Sequence, residues 1–356
     1  MNLQFLQEIT FVRVLLEFTP QSKTVELPPF SGSALRGAFG HAFRKRLCYC
    51  KSAGSSVEMP ADNPCQRSGE CTMPDQCEYF RLFERSRNGS SGTGANVIKP
   101  YILNPPVPSE LELIASGAPV RAPFFETTHA IHNQTPLAVP TGFSVGFTLL
   151  GQAAALLDPV VELLSLSPLE IGSSRFVLGR VTDTASLGAN DNILWQRDSR
   201  LVRRPVIEQR LATAHAVGHE KLRLSLITPC RLRASSSDGG AYRFNGDEFA
   251  TLFWQAALVR AVRVRDSFCA SAADRLPWQE LPSILPTVVR TRLFRYHYER
   301  LSNRQQKKMD FDGFVGAIWY SGELLDEWAP LVSAAEVLHV GQKATFGLGR
   351  VKASWE

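Results

Sequence analysis

The sequence has no long apolar run and little excess of charge of either sign. Of its 356 residues, 44% are hydrophobic and 21% are charged, and the net charge is +5. The most apolar stretch, 143–166, is interrupted by Gln152, Asp158, Pro159 and Glu162, so we expect no membrane-spanning helix. The apolar fraction excludes a disordered chain, and the length suits two domains that each bury a core.

The N-terminus lacks the basic residues and the cleavable apolar core of a secretory signal. We therefore expect a cytoplasmic protein that does not contact a membrane. Thiols remain reduced in that compartment, so clustered cysteines are more often metal ligands there than disulfides.

Cysteine is unevenly distributed, because five of the seven cysteines lie between residues 48 and 77. The common Cys-x-x-Cys spacing is missing, but four thiolates around zinc would fix a loop that has little apolar content. The expected ligands of this structural zinc are Cys50, Cys65, Cys71 and Cys77, with Cys48 as a substitute. Packed or free thiols are the alternative. A closed four-thiolate site leaves no position for a substrate, so we expect no catalytic metal.

The same order of predicted elements occurs twice along the chain. In the first half it is a strand at 8–18, a helix at 31–47, strands at 97–103 and 142–150, a helix at 153–166 and a strand at 175–182. In the second half it is a strand at 221–233, a helix from Asp247, strands at 288–298 and 311–320, a helix at 324–338 stopped by Gly341, and a strand at 344–353. Each half therefore predicts a βαββαβ, ferredoxin-like fold.

We accordingly expect a protein of the α+β class with two tandem ferredoxin-like domains. The N-terminal domain covers residues 1–205 and contains a cysteine-rich insertion at 48–96, and the C-terminal domain covers 206–356 and contains a glycine-rich loop. No internal sequence repeat supports this division, which rests on the order and spacing of the elements.

Arginine and lysine are concentrated in two stretches, 195–233 and 290–308. The second stretch contains Glu299 as its only acidic residue and has aromatic side chains between its arginines. Such a strand can offer phosphate contacts and stacking surfaces together, whereas a solvated charged face is the alternative. The pattern predicts a polyanionic partner, and the ferredoxin-like frame favours RNA.

The predicted first helix has a polar face opposite its apolar stripe. This face carries, at i, i+3 and i+4 spacing, Gly37, Gly40, His41, Arg44 and Lys45. Each glycine costs about 1 kcal/mol relative to alanine, so either a closely approaching partner or tight packing on a sheet must explain it. A histidine moves protons near neutral pH, and adjacent cations can stabilise a phosphorane. The face therefore suits metal-free phosphodiester cleavage, with a structural histidine as the alternative.

The C-terminal segment Gly341-Gln-Lys-Ala-Thr-Phe-Gly-Leu-Gly-Arg-Val351 is rich in glycine. It lacks the Gly-Lys-Ser/Thr of a Walker loop, and it precedes a strand where a dinucleotide fingerprint would open a helix. Its glycines would bring backbone N–H groups close to phosphate, with Lys343 and Arg350 adding charge. A tight turn is the alternative.

These motifs together resemble the CRISPR-associated endoribonucleases of the RAMP superfamily, which cut precursor CRISPR RNA within its repeats. The resemblance lies in Leu35-Arg-Gly-Ala-Phe-Gly-His41, in Asn303-Arg-Gln-Gln-Lys-Lys-Met-Asp-Phe-Asp-Gly-Phe-Val-Gly316 and in Lys343-Ala-Thr-Phe-Gly-Leu-Gly349. Related RAMP subunits without nuclease activity carry similar Leu-Arg-Gly-Ala stretches. The segment 97–220 contains no matching motif.

The resemblance implies tandem ferredoxin-like domains and metal-independent cleavage. The 2′-hydroxyl would attack the adjacent phosphorus and leave a 2′,3′-cyclic phosphate and a 5′-hydroxyl. His41 would act as general base or acid, with Lys45 or Arg44 stabilising charge, and His297 is the alternative histidine. Some members pair a tyrosine with the histidine, but this helix has none and Tyr49 follows it, so the second catalytic residue stays open.

The expected RNA contacts come from the first helix, the second basic stretch and the glycine-rich loop. They are Arg36, Arg290, Arg292, Arg295, Tyr296, His297, Arg300, Arg304, Lys307, Lys343, Gly347, Gly349 and Arg350. The expected partner is CRISPR repeat RNA, and the cleaved product is expected to stay bound in an effector complex with other CRISPR subunits. A non-catalytic RAMP subunit that holds guide RNA is the alternative function, and a zinc-stabilised interaction module is a third.

Overall fold

The computed structural model describes residues 3–21, 26–28, 30–47, 76–84, 98–116, 130–132, 137–139, 141–184, 192–197, 199, 208–211, 219–232, 246–270, 285–302, 307–322 and 325–356. The helices are α1 (Gly32–Leu47), α2 (Ser109–Ala115), α3 (Leu157–Leu166), α4 (Gly246–Val264) and α5 (Leu325–Leu338). Short 3-10 or π turns cover Gln4–Glu8, Phe80–Glu84, Gly151–Leu156, Arg265–Cys269 and Ala344–Phe346. No described helix is long and apolar enough to cross a membrane.

Sixteen strands lie in the described residues. They are β1 (Thr10–Pro20), β2 (Glu26–Leu27), β3 (Tyr101–Asn104), β4 (Ala130–His132), β5 (Leu137–Ala138), β6 (Phe143–Leu150), β7 (Leu169–Ile171), β8 (Ser174–Asp183), β9 (Ile193–Gln196), β10 (Gln209–Arg210), β11 (Lys221–Cys230), β12 (Thr287–His297), β13 (Glu299–Ser302), β14 (Lys307–Asp310), β15 (Gly313–Ser321) and β16 (Val351–Trp355). They form two large sheets and two small two-stranded ones.

The first large sheet has the ferredoxin-like arrangement. Its strands lie in the order β3-β6-β1-β8-β7, and β1 pairs antiparallel with both β6 and β8. Alternate residues of β1 point into the core because side chains alternate between the two faces of a strand. Helix α1 covers this face with Leu35, Phe39 and Phe43, all fully buried, and α3 packs beside it.

The second large sheet repeats the arrangement. Its strands lie in the order β16-β11-β15-β12-β4, so the four strands of the second βαββαβ unit take the same positions as those of the first. Helices α4 and α5 cover one face and contact each other through Trp254 and Trp328, whose ring centroids are 4.9 Å apart. Helix α2 covers part of the other face. The prediction of two tandem ferredoxin-like units is therefore confirmed.

The two units are joined by more than the connecting chain. Strand β4, from the first half of the sequence, pairs parallel with β12 in the second sheet. The Glu8 carboxylate lies 2.6 Å from Nη2 of Arg265, whose Nη1 is 3.0 Å from Asp266. The predicted domain boundary between residues 205 and 206 lies outside the described residues, and β10, just beyond it, still pairs with β1 of the first sheet.

The glycine-rich end of the chain differs from its prediction. The segment 344–353 was expected to be one strand, but it forms the 3-10 turn Ala344–Phe346, a glycine turn and then β16. Gly347 and Gly349 have φ angles of +83° and +72°, which a strand cannot contain. The first left-handed residue after α5 is His339, with φ +59°, so Gly341 was the wrong helix stop.

Candidate active site

Helix α1 exposes its predicted catalytic face. Its apolar side is buried, whereas His41 and Lys45 are exposed and Arg44 is half-buried between them. The spacing of three and four residues places these side chains next to one another on the helix surface. Nε of Arg44 is buried and has no hydrogen-bond partner among the described residues.

The two glycines of this helix have different surroundings. A Cβ at Gly40 would lie 3.4 Å from the ring of Phe83, which is an ordinary van der Waals contact, so packing there does not require glycine. A Cβ at Gly37 would have no described atom within 4 Å. Packing against the described residues therefore does not explain Gly37, which lies one turn before His41.

The N-terminal end of α1 meets the glycine-rich loop of the second unit. A Cβ at Gly32 would lie 1.8 Å from the Phe346 carbonyl oxygen, so only glycine permits this approach. One turn later, the Arg36 guanidinium lies 4.7 Å from the Phe346 ring centroid and 6.0 Å from that of Phe83. His41 lies about 7.5 Å farther along the helix axis, at 1.5 Å per residue. The fold thus unites two of the predicted motifs.

The glycines of the loop are required by its close packing against neighbouring backbone and side-chain atoms. A Cβ at Gly347 would lie 2.2 Å from Pro105, and one at Gly349 would lie 1.9 Å from the Val340 carbonyl oxygen. Their N–H groups donate to the carbonyls of Ala344 and Pro229, at 2.8 and 3.0 Å. The expectation that these two amides face a phosphate is therefore wrong, because both already have internal acceptors.

Aromatic side chains form a small cluster under the loop. It comprises Phe30, Phe311 and Leu348, with Tyr298 and Phe346 packed against it. Nζ of Lys343 lies 4.1 Å from the Phe311 ring centroid, within the range of a cation–π contact. Lys343 is therefore held beside the cluster, at the start of the loop.

Two buried polar side chains lie beneath the loop. The Thr228 hydroxyl donates to the Gly347 carbonyl at 2.7 Å and accepts from the Arg350 N–H at 2.9 Å. Nδ1 of His339 lies 3.0 Å from the Leu348 carbonyl oxygen. Since a carbonyl only accepts, this nitrogen carries the proton of the neutral ring. Neither residue was singled out by the sequence patterns.

Burial lowers the pKa of His339 to about 3, and the cations Arg350, Arg260 and Arg13 act in the same direction against the opposing Leu348 hydrogen bond. The unfolded chain binds this proton below about pH 6.5 and the folded chain does not, so acid favours unfolding. We expect the free energy of unfolding to fall by up to about 1.4 kcal/mol per pH unit between about 6 and 3 from this residue. Denaturant titrations at several pH values should show this slope, and His339→Asn should lack it.

Asp312 holds two arginines near the base of the loop. Its carboxylate is buried, pairing with Arg231 through one oxygen and with Nη2 of Arg295 at 3.2 Å through the other. The Arg231 carbonyl in turn accepts from the Gln342 N–H at 2.9 Å. Arg295 pairs with this buried acid but keeps 39% of its side chain exposed, so its expected contact with RNA stays a prediction.

The other predicted contacts of β12 are spread along the strand. Tyr296 is fully buried against Leu111 and Ile114 of α2, so it is a core residue and cannot stack on a base. Arg290 is exposed, with its guanidinium 5.1 Å from the Trp319 ring centroid. At about 3.3 Å per residue, it lies roughly 23 Å along the strand from His297.

The other residues that were predicted to contact RNA lie at different places in the second unit. Arg292 lies 5.8 Å from the Phe294 ring, and His297 is half-buried at the end of β12 beside β4. Arg350 is half-buried under the loop, where burial lowers its pKa. The backbones of Arg300 and Lys307 lie on the paired strands β13 and β14. Arg304 lies outside the described residues.

Only one of the predicted zinc ligands lies in the described part of the chain. Cys77 is buried; its thiol is 3.9 Å from the carbonyl oxygen of Leu47, the last residue of α1, and accepts from the Phe80 N–H at 3.5 Å. Cys48, Cys50, Cys65 and Cys71 lie outside the described residues. The described residues contain no group of three or more metal-ligating side chains.

One solved structure shows the same fold, and others are similar at lower scores. The Cas6 protein TTHB231 in a product complex aligns over 97% of this chain and 99% of that one, with 16% identity and a TM-score of 0.50. Thermus thermophilus Cas6 (TTHB231) aligns over the same shares at 14% identity and 0.46. A Cas6-related protein from Pyrococcus furiosus aligns over 97% and 98% at 9% identity and 0.44. No curated protein sequence matches significantly.

Two family models match the two halves of the chain. The model of the N-terminal domain AF_1859_N matches residues 9–207. The model of the CRISPR-associated endoribonuclease Cas6 matches residues 224–351, which include β11, β12, β15 and the glycine-rich loop. The C-terminal unit therefore matches the Cas6 family, and the chain is an endoribonuclease that processes precursor CRISPR RNA.

Proposed function

We propose that cleavage takes place on the exposed face of α1 and that His41 carries out one of the two proton transfers. The observation that supports this most is the arrangement of the helix. It presents His41 to solvent with Arg44 and Lys45 as neighbours, while its other end is fixed against the glycine-rich loop. Gly32 and Arg36, which contact the loop, lie about 180° and 140° around the helix from His41, so an RNA that meets both the loop and the histidine must pass around α1.

The chemistry proposed for this face needs no metal ion. The 2′-hydroxyl loses its proton and its oxygen attacks the adjacent phosphorus, while the bond to the 5′ oxygen breaks and that oxygen takes up a proton. His41 supplies one of these two proton transfers. Lys45 or Arg44 stabilises the additional negative charge on the phosphorane oxygens. A 2′,3′-cyclic phosphate and a 5′-hydroxyl result.

The RNA path follows from exposure and charge. Arg36 and Lys343 flank the contact between α1 and the loop and supply positive charge there. Gly37 leaves open space one turn before His41, so an RNA backbone can approach the helix more closely than a side chain would allow. The exposed Arg290 and the neighbouring Arg292 extend the positive charge along β12 and provide phosphate contacts outside the cleavage site.

The ends of the product test this chemistry. We expect the upstream fragment to carry a 2′,3′-cyclic phosphate that acid opens, and the downstream fragment to be labelled by polynucleotide kinase without prior phosphatase treatment. The check is denaturing electrophoresis of both fragments before and after each treatment. A 5′-phosphate on the downstream fragment would contradict the mechanism, because attack by the 2′-hydroxyl cannot produce it.

Retention of the product is also part of the proposal. The cations of α1, the loop and β12 contact phosphates that remain after one bond is cut, so the upstream fragment keeps most of its contacts. The protein would then remain on its guide RNA and join other CRISPR subunits in an effector complex. Binding of repeat RNA without any cleavage would favour the alternative of a non-catalytic guide-holding subunit.

A structural zinc ion in the cysteine window is proposed as well, in a protein of the reducing cytoplasm. Support comes from the position of Cys77, whose sulfur lies beside Leu47, directly before Cys48, and accepts the Phe80 N–H. Cys50, Cys65, Cys71 and Cys77 would hold the ion, with Cys48 as substitute. Its role would be to fix the chain after α1.

Metal analysis tests the zinc site. We expect about one zinc per chain in protein purified without added metal, since four thiolates bind zinc tightly. Elemental analysis of the wild type and of Cys77→Ser measures this, and the variant should hold much less zinc. Less than a tenth of an equivalent in the wild type would refute the site.

A further inference from the structure

The inner side of the glycine-rich loop is held at two adjacent carbonyls by two side chains from different elements. Thr228 lies on β11 and bonds both the Gly347 carbonyl and the Arg350 N–H, at 2.7 and 2.9 Å. His339 follows α5 and bonds the Leu348 carbonyl at 3.0 Å. The loop's turn is therefore fixed from below at consecutive peptide groups.

The backbone at His339 indicates that its side chain is needed. The residue has φ +59°, a left-handed conformation that glycine or asparagine usually occupies after a helix. Glycine would adopt this conformation without strain, but it could not bond Leu348. The same reasoning applies to Thr228. A valine would fill the same buried space on a strand, so the presence of threonine points to the hydrogen bonds of its hydroxyl.

Neither side chain can touch RNA directly. Thr228 is 0% exposed and His339 is 1% exposed, so any effect on the substrate must pass through the loop. The route is short. Gly347 directly follows Phe346, whose ring lies 4.7 Å from the Arg36 guanidinium and whose carbonyl lies against Gly32 at the start of α1.

We propose that Thr228 and His339 are positioning residues that hold the glycine-rich loop, and through Phe346 the Arg36 side chain, in the geometry that binds repeat RNA. This inference rests on the proposed function of the loop and of α1. It assigns the two residues to substrate binding and leaves the proton transfers to the exposed face of the helix.

Isosteric variants test the proposal. Thr228→Val removes the hydroxyl and leaves two buried backbone groups without a partner, so we expect the Kd for repeat RNA with a 2′-deoxy nucleotide at the cleavage position to rise about tenfold. The single-turnover rate at saturating RNA should stay within about threefold, with an unchanged pH profile, because the proton-transfer groups are untouched. Thr228→Ser keeps the hydroxyl and should restore the affinity, and His339→Leu, which cannot donate to the Leu348 carbonyl, should behave like Thr228→Val.

Thr148→Val is the matched control. Thr148 is also 0% exposed on a strand, but its hydroxyl has no hydrogen-bond partner among the described residues, so the substitution should leave the affinity unchanged. Hydrogen exchange of the amides in 343–349, measured without RNA, should be faster in Thr228→Val and unchanged in Thr148→Val. Thermal unfolding of each variant shows that it is folded at the assay temperature.

Three results would overturn the proposal. They are an unchanged Kd in folded Thr228→Val, an equal loss in Thr148→Val, or a loss confined to the saturating rate. Wild-type protein that fails to bind repeat RNA would instead refute the proposed function. Even in that case the hydrogen-exchange experiment, which needs no RNA, tests the proposal separately. Exchange in 343–349 that is the same in Thr228→Val and in the wild type would show that Thr228 does not hold the loop.

Discussion

His41→Ala is expected to slow cleavage of repeat RNA by about 10³-fold, because a positioned acid or base contributes between about 10² and 10⁴ to the rate. Affinity should stay within about threefold, since the cations of α1 and the loop remain. Single-turnover cleavage and equilibrium binding measure the two effects separately. His219→Ala is the matched control, because His219 is also exposed but lies before β11, beside Trp355.

Full activity in the His41→Ala variant would show that the proton transfers do not take place on this helix. His297 is then the next histidine to test, at the end of β12. Tyr298, the following residue, packs on Phe30, so this strand end also lies near the start of α1. Loss of cleavage in His297→Ala together with full activity in His41→Ala would relocate the active site to that end of α1.

Gly349→Ala has the second large expected effect. Its Cβ would lie 1.9 Å from the Val340 carbonyl oxygen, at a φ of +72°, and Val340 also donates its N–H to the Gly349 carbonyl at 2.9 Å. Because backbone cannot move aside as a side chain can, the turn must open. We expect a loss of about 2–3 kcal/mol in the free energy of unfolding. Binding of repeat RNA should weaken at least about tenfold, since the loop also positions Arg36.

Gly172→Ala separates the clash from the backbone strain. Gly172 has a similar φ of +60°, but a Cβ there would meet no described atom within 4 Å. We expect it to cost about 1 kcal/mol and to leave cleavage unchanged, because the turn between β7 and β8 is not part of the site. Equal RNA affinity in Gly349→Ala and in the wild type would show that the loop's shape does not matter for binding.

Local patterns predicted the frame of the protein well. The strand at Thr10–Pro20 and the helix at Gly32–Leu47 follow from apolar residues at periods of two and of about three and a half. The exposure of His41 and Lys45 follows from the same helical period, because Leu35, Phe39 and Phe43 must face the sheet. These features depend only on the spacing of apolar residues along a single strand or helix, so they can be predicted from the sequence alone.

Features that depend on a second element were not predictable in the same way. Tyr296 has the spacing of an exposed residue on a basic strand, but α2, which is far away in sequence, covers it. Arg295 is paired because Asp312, just before β15, comes close to β12 only when β12 and β15 pair. Thr228 and His339 carry no pattern at all, and only the return of the glycine-rich loop over β11 and α5 gives them a role.

The central claim is metal-independent cleavage by attack of the RNA's own 2′-hydroxyl, and one paired assay tests it most directly. Purified protein is incubated with cognate repeat RNA in excess EDTA, alongside the same RNA with a single 2′-deoxy nucleotide at the cleavage position. We predict that the unmodified RNA is cut in EDTA at the rate seen without chelator, and that the 2′-deoxy RNA is bound but not cut. Cleavage of the deoxy RNA, or loss of cleavage in EDTA that added Mg²⁺ restores, would contradict the mechanism.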